Sequence, residues 1–170
     1  MIEVESGQQR CGVQVGDDLV QLIHAIQITD GVSYVGLQAY SGHLQHVKGY
    51  CLRNEQARSV VVPLFDFIAS TLEPQGMAPQ IISGGGTGTY AAYQGLGYSE
   101  IQAGSYLFMD AAYLAIGDET NVAENQQFSP ALKVLSTVIS QPTPSRTVID
   151  AGMKCLSIDL CMPIVAVSYT

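Results

Sequence analysis

The sequence predicts an α/β protein: a parallel sheet with helices outside it, followed by the start of a second, β-rich portion. Three observations carry this. Strand-like apolar runs alternate with helical patterns through the first two-thirds of the chain, the order that builds parallel strands. Hydrophobic residues make up 47% of the 170 and charged residues only 13%, as expected of strands covered on both faces. The pattern then changes after about residue 118, where GDETNVAENQQFSP has the composition of a linker. We therefore divide the chain into residues 1–118 and 119–170.

MIEVES reads as the first strand, and GDDLVQLIHAIQI as a helix with Leu19, Ile23 and Ile26 on one face. Asp17 and Asp18 stand where a helix N-terminus favours negative charge. SYVGLQAYSG is the second strand. RNEQARSVVVPLFDFIASTLEPQG is a long helix in which Pro63 marks a kink or interruption. APQIISGGG is the third strand, TGTYAAYQGLG a short helix, and YSEIQAGSYLFMD a fourth strand with its exit loop. ALKVLSTVISQP, RTVIDAGMKCLSID and PIVAVSYT are β-rich with no helical spacing between them.

Composition excludes several functions. A net charge of −8, with no basic residue between Arg58 and Lys133, argues against nucleic acid, whose phosphates need clustered Lys and Arg. No window of 18 apolar residues runs without a polar break, so no membrane partner is expected. MIEVESGQQR lacks the basic and apolar regions of a signal peptide. Cys11, Cys51, Cys155 and Cys161 form no C-x-x-C pair, which argues against a disulfide framework or zinc ribbon and points to a reducing cytoplasm.

IISGGGTGTY (81–90) carries the chemistry. Strand, glycines, then helix presents free backbone N–H groups to an anion. No Lys follows, so it is not a P-loop, and Thr89 stands where a dinucleotide fingerprint needs its last glycine. A triphosphate needs Lys or Mg²⁺ to offset its charge. A single phosphate ester can be held by N–H groups, hydroxyls and the helix dipole. Thr87 and Thr89 supply hydroxyls, and a second small-residue turn, QAGSY (102–106), ends the next strand. Neighbouring parallel strands end at one mouth, so two loops can grip one phosphate.

Five stretches carry a resemblance: VESGQQRCGV (4–13), GLQAYSGHLQH (36–46), SGGGTGTY (83–90), EIQAGSYLFMD (100–110) and TVIDAGMKCLSID (147–159). They come in the order seen in the D-threonine aldolase and D-serine dehydratase group of fold-type III pyridoxal-phosphate enzymes. The chain resembles that group from residue 2 to about residue 163.

The resemblance implies half of a TIM-type, alanine-racemase-like barrel and the start of its β-rich C-terminal domain. It implies pyridoxal 5'-phosphate at the strand C-termini. Thr87, Gly88 and Thr89 match the first phosphate loop, and Gly104 and Ser105 the second. Arg10 matches the arginine that reaches the cofactor ring and keeps the pyridine nitrogen unprotonated, making a weaker electron sink. Tyr40 matches a pocket tyrosine, and Gln45 and His46 are assigned to the pocket near the cofactor. His43 and His46 lie three apart but lack a third ligand. In the resembled group a divalent metal, Mn or Zn, is held by the C-terminal domain, so no metal ligand is assigned here.

The implied substrates are D-β-hydroxy-amino acids, cleaved to glycine and an aldehyde by a homodimer. The alternatives are D-serine dehydration or a non-catalytic pyridoxal-phosphate-binding protein; a nucleotide-binding domain is a third. No catalytic residue is assigned in this chain. The Schiff-base lysine is expected upstream, on the first barrel strand, so Asp150 and Lys154 are not an acid and Schiff-base pair; Lys154 is expected to seat the β portion. A full barrel needs eight strands and roughly 250 residues, so the chain is expected to be a central piece of a longer enzyme, inactive alone. DLCMPI departs from the group, which commonly has a glycine before that proline. Half a barrel should leave two sheet edges unpaired and Ile2, Val4, Val35, Leu37, Ile81 and Ile82 under-buried.

Overall fold

The structure, a computed structural model, describes residues 1–166. Its N-terminal part is a four-stranded parallel sheet, ordered β1 (Ile2–Glu3), β2 (Gly36–Ala39), β3 (Ile81–Gly84) and β4 (Glu100–Ile101). Between the strands lie α1 (Asp17–Gln27), α2 (Tyr50–Phe67) and α3 (Tyr90–Tyr93); α4 (Ala111–Leu114) follows β4. This is the predicted β-α order. α1 opens with Asp17 and Asp18 and buries Leu19 and Ile23 completely. α2 runs straight through Pro63 and ends in a π turn over Ile68–Leu72. α3 is a single turn, because Gly95 and Gly97 take positive φ angles that end it.

The register fixes which face is covered. Ile2 pairs with Leu37 and Leu37 with Ile82, while Glu3 pairs with Gln38 and Gln38 with Ser83. The first row packs on Leu19, Ile23, Leu64 and Ile68 of the helices. The second row is polar and lies on the opposite face, since successive residues of a strand alternate sides. The expectation of under-buried apolar strands is therefore corrected for Ile2, Val4, Leu37 and Ile82. Ile2, Val4, Leu37 and Ile82 are buried, and Val35 and Ile81 half-buried. Ile2, Val4, Leu37 and Ile82 face α1 and α2, and Glu3, Gln38 and Ser83 stand on the other face, beside Ile81.

The expectation of two open edges is corrected at the β1 edge, while β4 pairs with β3 alone. Val13 folds back along β1: its N–H donates to the Glu3 carbonyl at 2.9 Å and its carbonyl accepts from the Glu5 N–H at 2.9 Å. Those groups point away from β2, so part of the outer edge of β1 is already paired.

After α4 the chain makes an antiparallel hairpin of β5 (Val138–Thr143) and β6 (Arg146–Ile149), joined through Pro144 and Ser145. Both strands are exposed along their whole length. Residues 131–137 form no strand, and the predicted strand at 163–170 is absent over 163–166; its last four residues lie outside the described part. Lys154 is exposed.

Candidate functional site

The parallel order brings the exits of all four strands to one end of the sheet. β1 leads to Arg10, β2 to Tyr40, β3 to the glycine loop and β4 to Gly104 and Ser105. The two glycine-bearing loops touch. The Tyr106 N–H donates to Thr87 Oγ1 at 3.1 Å. Among the described residues, no protein acceptor takes the backbone N–H of Thr87, Gly104 or Ser105. These three N–H groups are left unspent. A cavity of about 210 Å³ opens beside them, walled by Thr87, Tyr90, Ile101, Ala103, Tyr106 and Phe128.

The loop's shape comes from its own bonds. The Gly86 N–H donates to Thr89 Oγ1 at 3.1 Å, and the Gly86 carbonyl accepts from the N–H groups of Thr89 and Tyr90. Gln45 lies directly beneath. Its Oε1 accepts from the Gly88 N–H at 3.0 Å; its Nε2 donates to Thr89 Oγ1 at 2.8 Å and to the Ser41 carbonyl at 3.2 Å. Glycine is required at 88, where a Cβ would stand 2.0 Å from the Gln45 carbonyl oxygen. At Gly104 a Cβ would meet nothing within 4 Å.

The structure separates the residues that the sequence grouped. Thr87 meets the loop that carries Gly104 and Ser105 through the Tyr106 N–H. Gly88 and Thr89 are buried, with the Gly88 N–H and Thr89 Oγ1 both engaged by Gln45. Gln45 is buried and supports the loop from below rather than lining an open pocket. Arg10 is exposed and pairs with Glu3 at 3.4 Å over the polar face of the sheet. Tyr40 is half-buried, its carbonyl accepting from Ser6 Oγ at 2.9 Å. His46 is exposed and sets its ring 4.4 Å from that of Tyr113. His43 is exposed too. Among the described residues, no group of three or more His, Cys, Asp or Glu is placed to hold a metal.

Three residues escaped the sequence reading. Arg53 is buried in α2 and donates only to main-chain carbonyls, of Gly88, Val47, Ile116 and Gly117. Burial lowers its pKa from the usual arginine value, against the pull of Tyr50 and Asp118. The signal was present: Arg53 shares one stripe with Ala57, Val61 and Leu64, where an apolar residue is expected. Asp118, in the linker-like segment, is buried and accepts from the N–H groups of Thr120, Asn121 and Gln126. The Gln126 bond is the largest influence holding its carboxyl down at about 2, with burial opposing it and Thr120 adding to it. Tyr113 packs behind the second loop; burial raises its phenol, with Ser105 pulling the other way.

Known proteins resemble this chain in sequence and fold. The model of the alanine racemase N-terminal domain matches residues 1–112, and a serine dehydratase domain model matches residues 131–169. A 3-hydroxy-D-aspartate aldolase of Paracoccus denitrificans is 35% identical over 96% of this chain and 43% of its own length. A D-threonine aldolase of an Arthrobacter species is 42% identical over 91% of this chain and 40% of its own. The crystal structure of D-threonine aldolase from Filomicrobium marinum superposes with a TM-score of 0.79 at 34% identity, covering 96% of this chain and 44% of that one. The chain spans about two-fifths of the length of the curated relatives it matches. With about two-thirds of its length inside one family model, and aldolases among its relatives, the chain belongs to the alanine-racemase N-terminal-domain family, in the D-threonine aldolase and serine dehydratase group.

Proposed function

We propose that this chain carries the phosphate-gripping part of the cofactor site of a pyridoxal-phosphate lyase that cleaves D-β-hydroxy-amino acids to glycine and an aldehyde. One observation supports this most: the Tyr106 N–H bond to Thr87 Oγ1 joins two strand-end loops in which the N–H groups of Thr87, Gly104 and Ser105 meet no acceptor among the described residues. That donor set suits a phosphate monoester, since backbone N–H groups hold an anion without a neighbouring cation. Thr87, Gly104 and Ser105 would hold the phosphate, with Gly88 and Thr89 shaping the loop around it. Arg10 would reach the pyridine ring and Tyr40 would wall the pocket, with His46 near it. When bound, pyridoxal phosphate supplies the electron sink that the cleavage requires.

In this reading residues 1–118 are the barrel portion and 119–170 begin the β-rich domain. The Schiff-base lysine and the ligands of a divalent metal belong to parts of the enzyme outside this chain, and the intact enzyme is a cytoplasmic homodimer. The lysines present, Lys48, Lys133 and Lys154, are all exposed. Aldol cleavage is favoured over dehydration because both curated relatives named above are aldolases.

Binding tests the reading. Pyridoxamine 5'-phosphate has no aldehyde and forms no adventitious imine with the exposed lysines. It should bind the chain at least tenfold more tightly than pyridoxamine; equal affinities would overturn the phosphate grip. Incubated with pyridoxal phosphate, D-threonine and Mn²⁺, the chain alone should release no glycine. Turnover there would refute the placement of the lysine elsewhere.

A further inference from the structure

The glycine loop has no cation in front of it, but it has one behind. Arg53 is 2% exposed, and its Nε donates to the Gly88 carbonyl at 2.6 Å. Its Nη1 donates to the carbonyls of Val47 and Ile116, both at 2.8 Å, and its Nη2 to that of Gly117 at 2.9 Å. No carboxylate takes any of these bonds. A buried charge is costly unless an opposite charge offsets it. The acid that bears on Arg53 is Asp118, whose oxygens already accept from Thr120, Asn121 and Gln126. Four carbonyl dipoles thus solvate the guanidinium directly.

Resting on the cofactor reading above, we infer that Arg53 is a positioning residue for the phosphate: it supports the anion from behind the loop through the Gly88 carbonyl and the glycine-loop peptides. Two effects combine. Geometrically, Arg53 fixes the Gly88–Thr89 peptide from one side while Gln45 holds the Gly88 N–H from the other. This sets the plane of the turn that presents the Thr87 N–H. Electrostatically, a donor at 2.6 Å polarises that peptide, and a fixed positive charge close behind the loop raises the potential in the mouth. The same guanidinium ties the loop to Ile116 and Gly117, beyond α4, so the grip is continuous with the segment that leaves the sheet.

The test measures phosphate preference, the ratio of the dissociation constants for pyridoxamine and pyridoxamine 5'-phosphate, in the parent chain, Arg53→Lys and Arg53→Met. If the parent shows no preference, the cofactor reading fails, and this inference with it. If the parent does, Arg53→Met should lower the ratio at least tenfold and Arg53→Lys severalfold, with pyridoxamine affinity changed less than twofold. A merely structural role would weaken both ligands together. A folded Arg53→Met variant that keeps the ratio overturns the inference. Should neither variant fold, the parent decides by ¹H–¹⁵N NMR. The Arg53 Nε–H signal should move on saturation with pyridoxamine 5'-phosphate and stay put with pyridoxamine. If it stays put while the Thr87 N–H signal moves, the inference is overturned.

Discussion

The Tyr106 main-chain N–H and the Thr87 hydroxyl oxygen lie 3.1 Å apart and join the loops that leave β3 and β4. Thr87 is buried, so its hydroxyl has a fixed direction. Thr87→Val keeps the shape and removes the acceptor. One hydrogen bond contributes about 1 kcal/mol, so pyridoxamine 5'-phosphate should bind roughly fivefold to tenfold more weakly. Thr87→Ser should restore most of the loss. Titration calorimetry on the three chains checks this.

The two glycines proposed around the phosphate should respond oppositely. Gly88→Ala drives a methyl to 2.0 Å from the Gln45 carbonyl, a main-chain atom that cannot swing away. It should cost more than about 3 kcal/mol of stability. Gly104 takes φ −131 and has open space where a Cβ would stand, so Gly104→Ala should stay within about 0.5 kcal/mol. Urea unfolding followed by circular dichroism separates them.

Gln45→Leu replaces a buried amide with an apolar group of similar size. It leaves the Gly88 N–H and the Ser41 carbonyl without their side-chain partner. Stability should fall by about 2–4 kcal/mol. Backbone amide exchange should rise first at residues 86–90, where the loop loses its floor.

Acid should weaken the fold through Asp118. Its folded pKa, about 2, lies below the ordinary 3.8. The stabilisation is therefore complete above about pH 4 and is lost as pH falls toward about 2. Asp118→Asn should be less stable than the parent at neutral pH and lack this acid limb. At the other extreme, burial pushes Tyr34 up to about 12 and Tyr98 higher still. Both are held neutral by the fold, so stability should fall as pH rises from about 10 through 12. Denaturant midpoints across pH give both limbs.

Limited proteolysis should cut first in the exposed stretch from Ala131 to Ile149. Apolar contact there is sparse: Val138 and Ile139 are more than half exposed. A product retaining the parallel sheet should accumulate, identified by intact mass. Initial cleavage inside α1 or α2 would contradict the described packing.

The order of strands and helices was legible because hydrophobic period reports it directly: Leu19 and Ile23 in α1 are as buried as their spacing predicts. The sidedness of the sheet was legible too but overlooked. The alternation in IEV, GLQA and IISG sets Glu3, Gln38 and Ser83 opposite the apolar rows, and reading the strands as continuous apolar runs hid it. The glycine loop could be recognised because its residue types are local in sequence. Arg53 and Asp118 could not be placed so easily. Arg53 reaches Gly88 thirty-five residues away and Gly117 sixty-four away. Asp118 sits in a polar segment whose composition resembles a solvated linker, although it turns its carboxylate inward onto the backbone around it.

Val13 on the outer rim of β1 has one more consequence. A strip of sheet with two free rims can recruit strand after strand and grow without limit. Here one rim is partly plugged by the chain itself, so further recruitment is directed to Glu100–Ile101. Two molecules meeting through that rim would pair about a two-fold axis and present plugged rims outward, so the contact would terminate as a closed pair instead of a fibre.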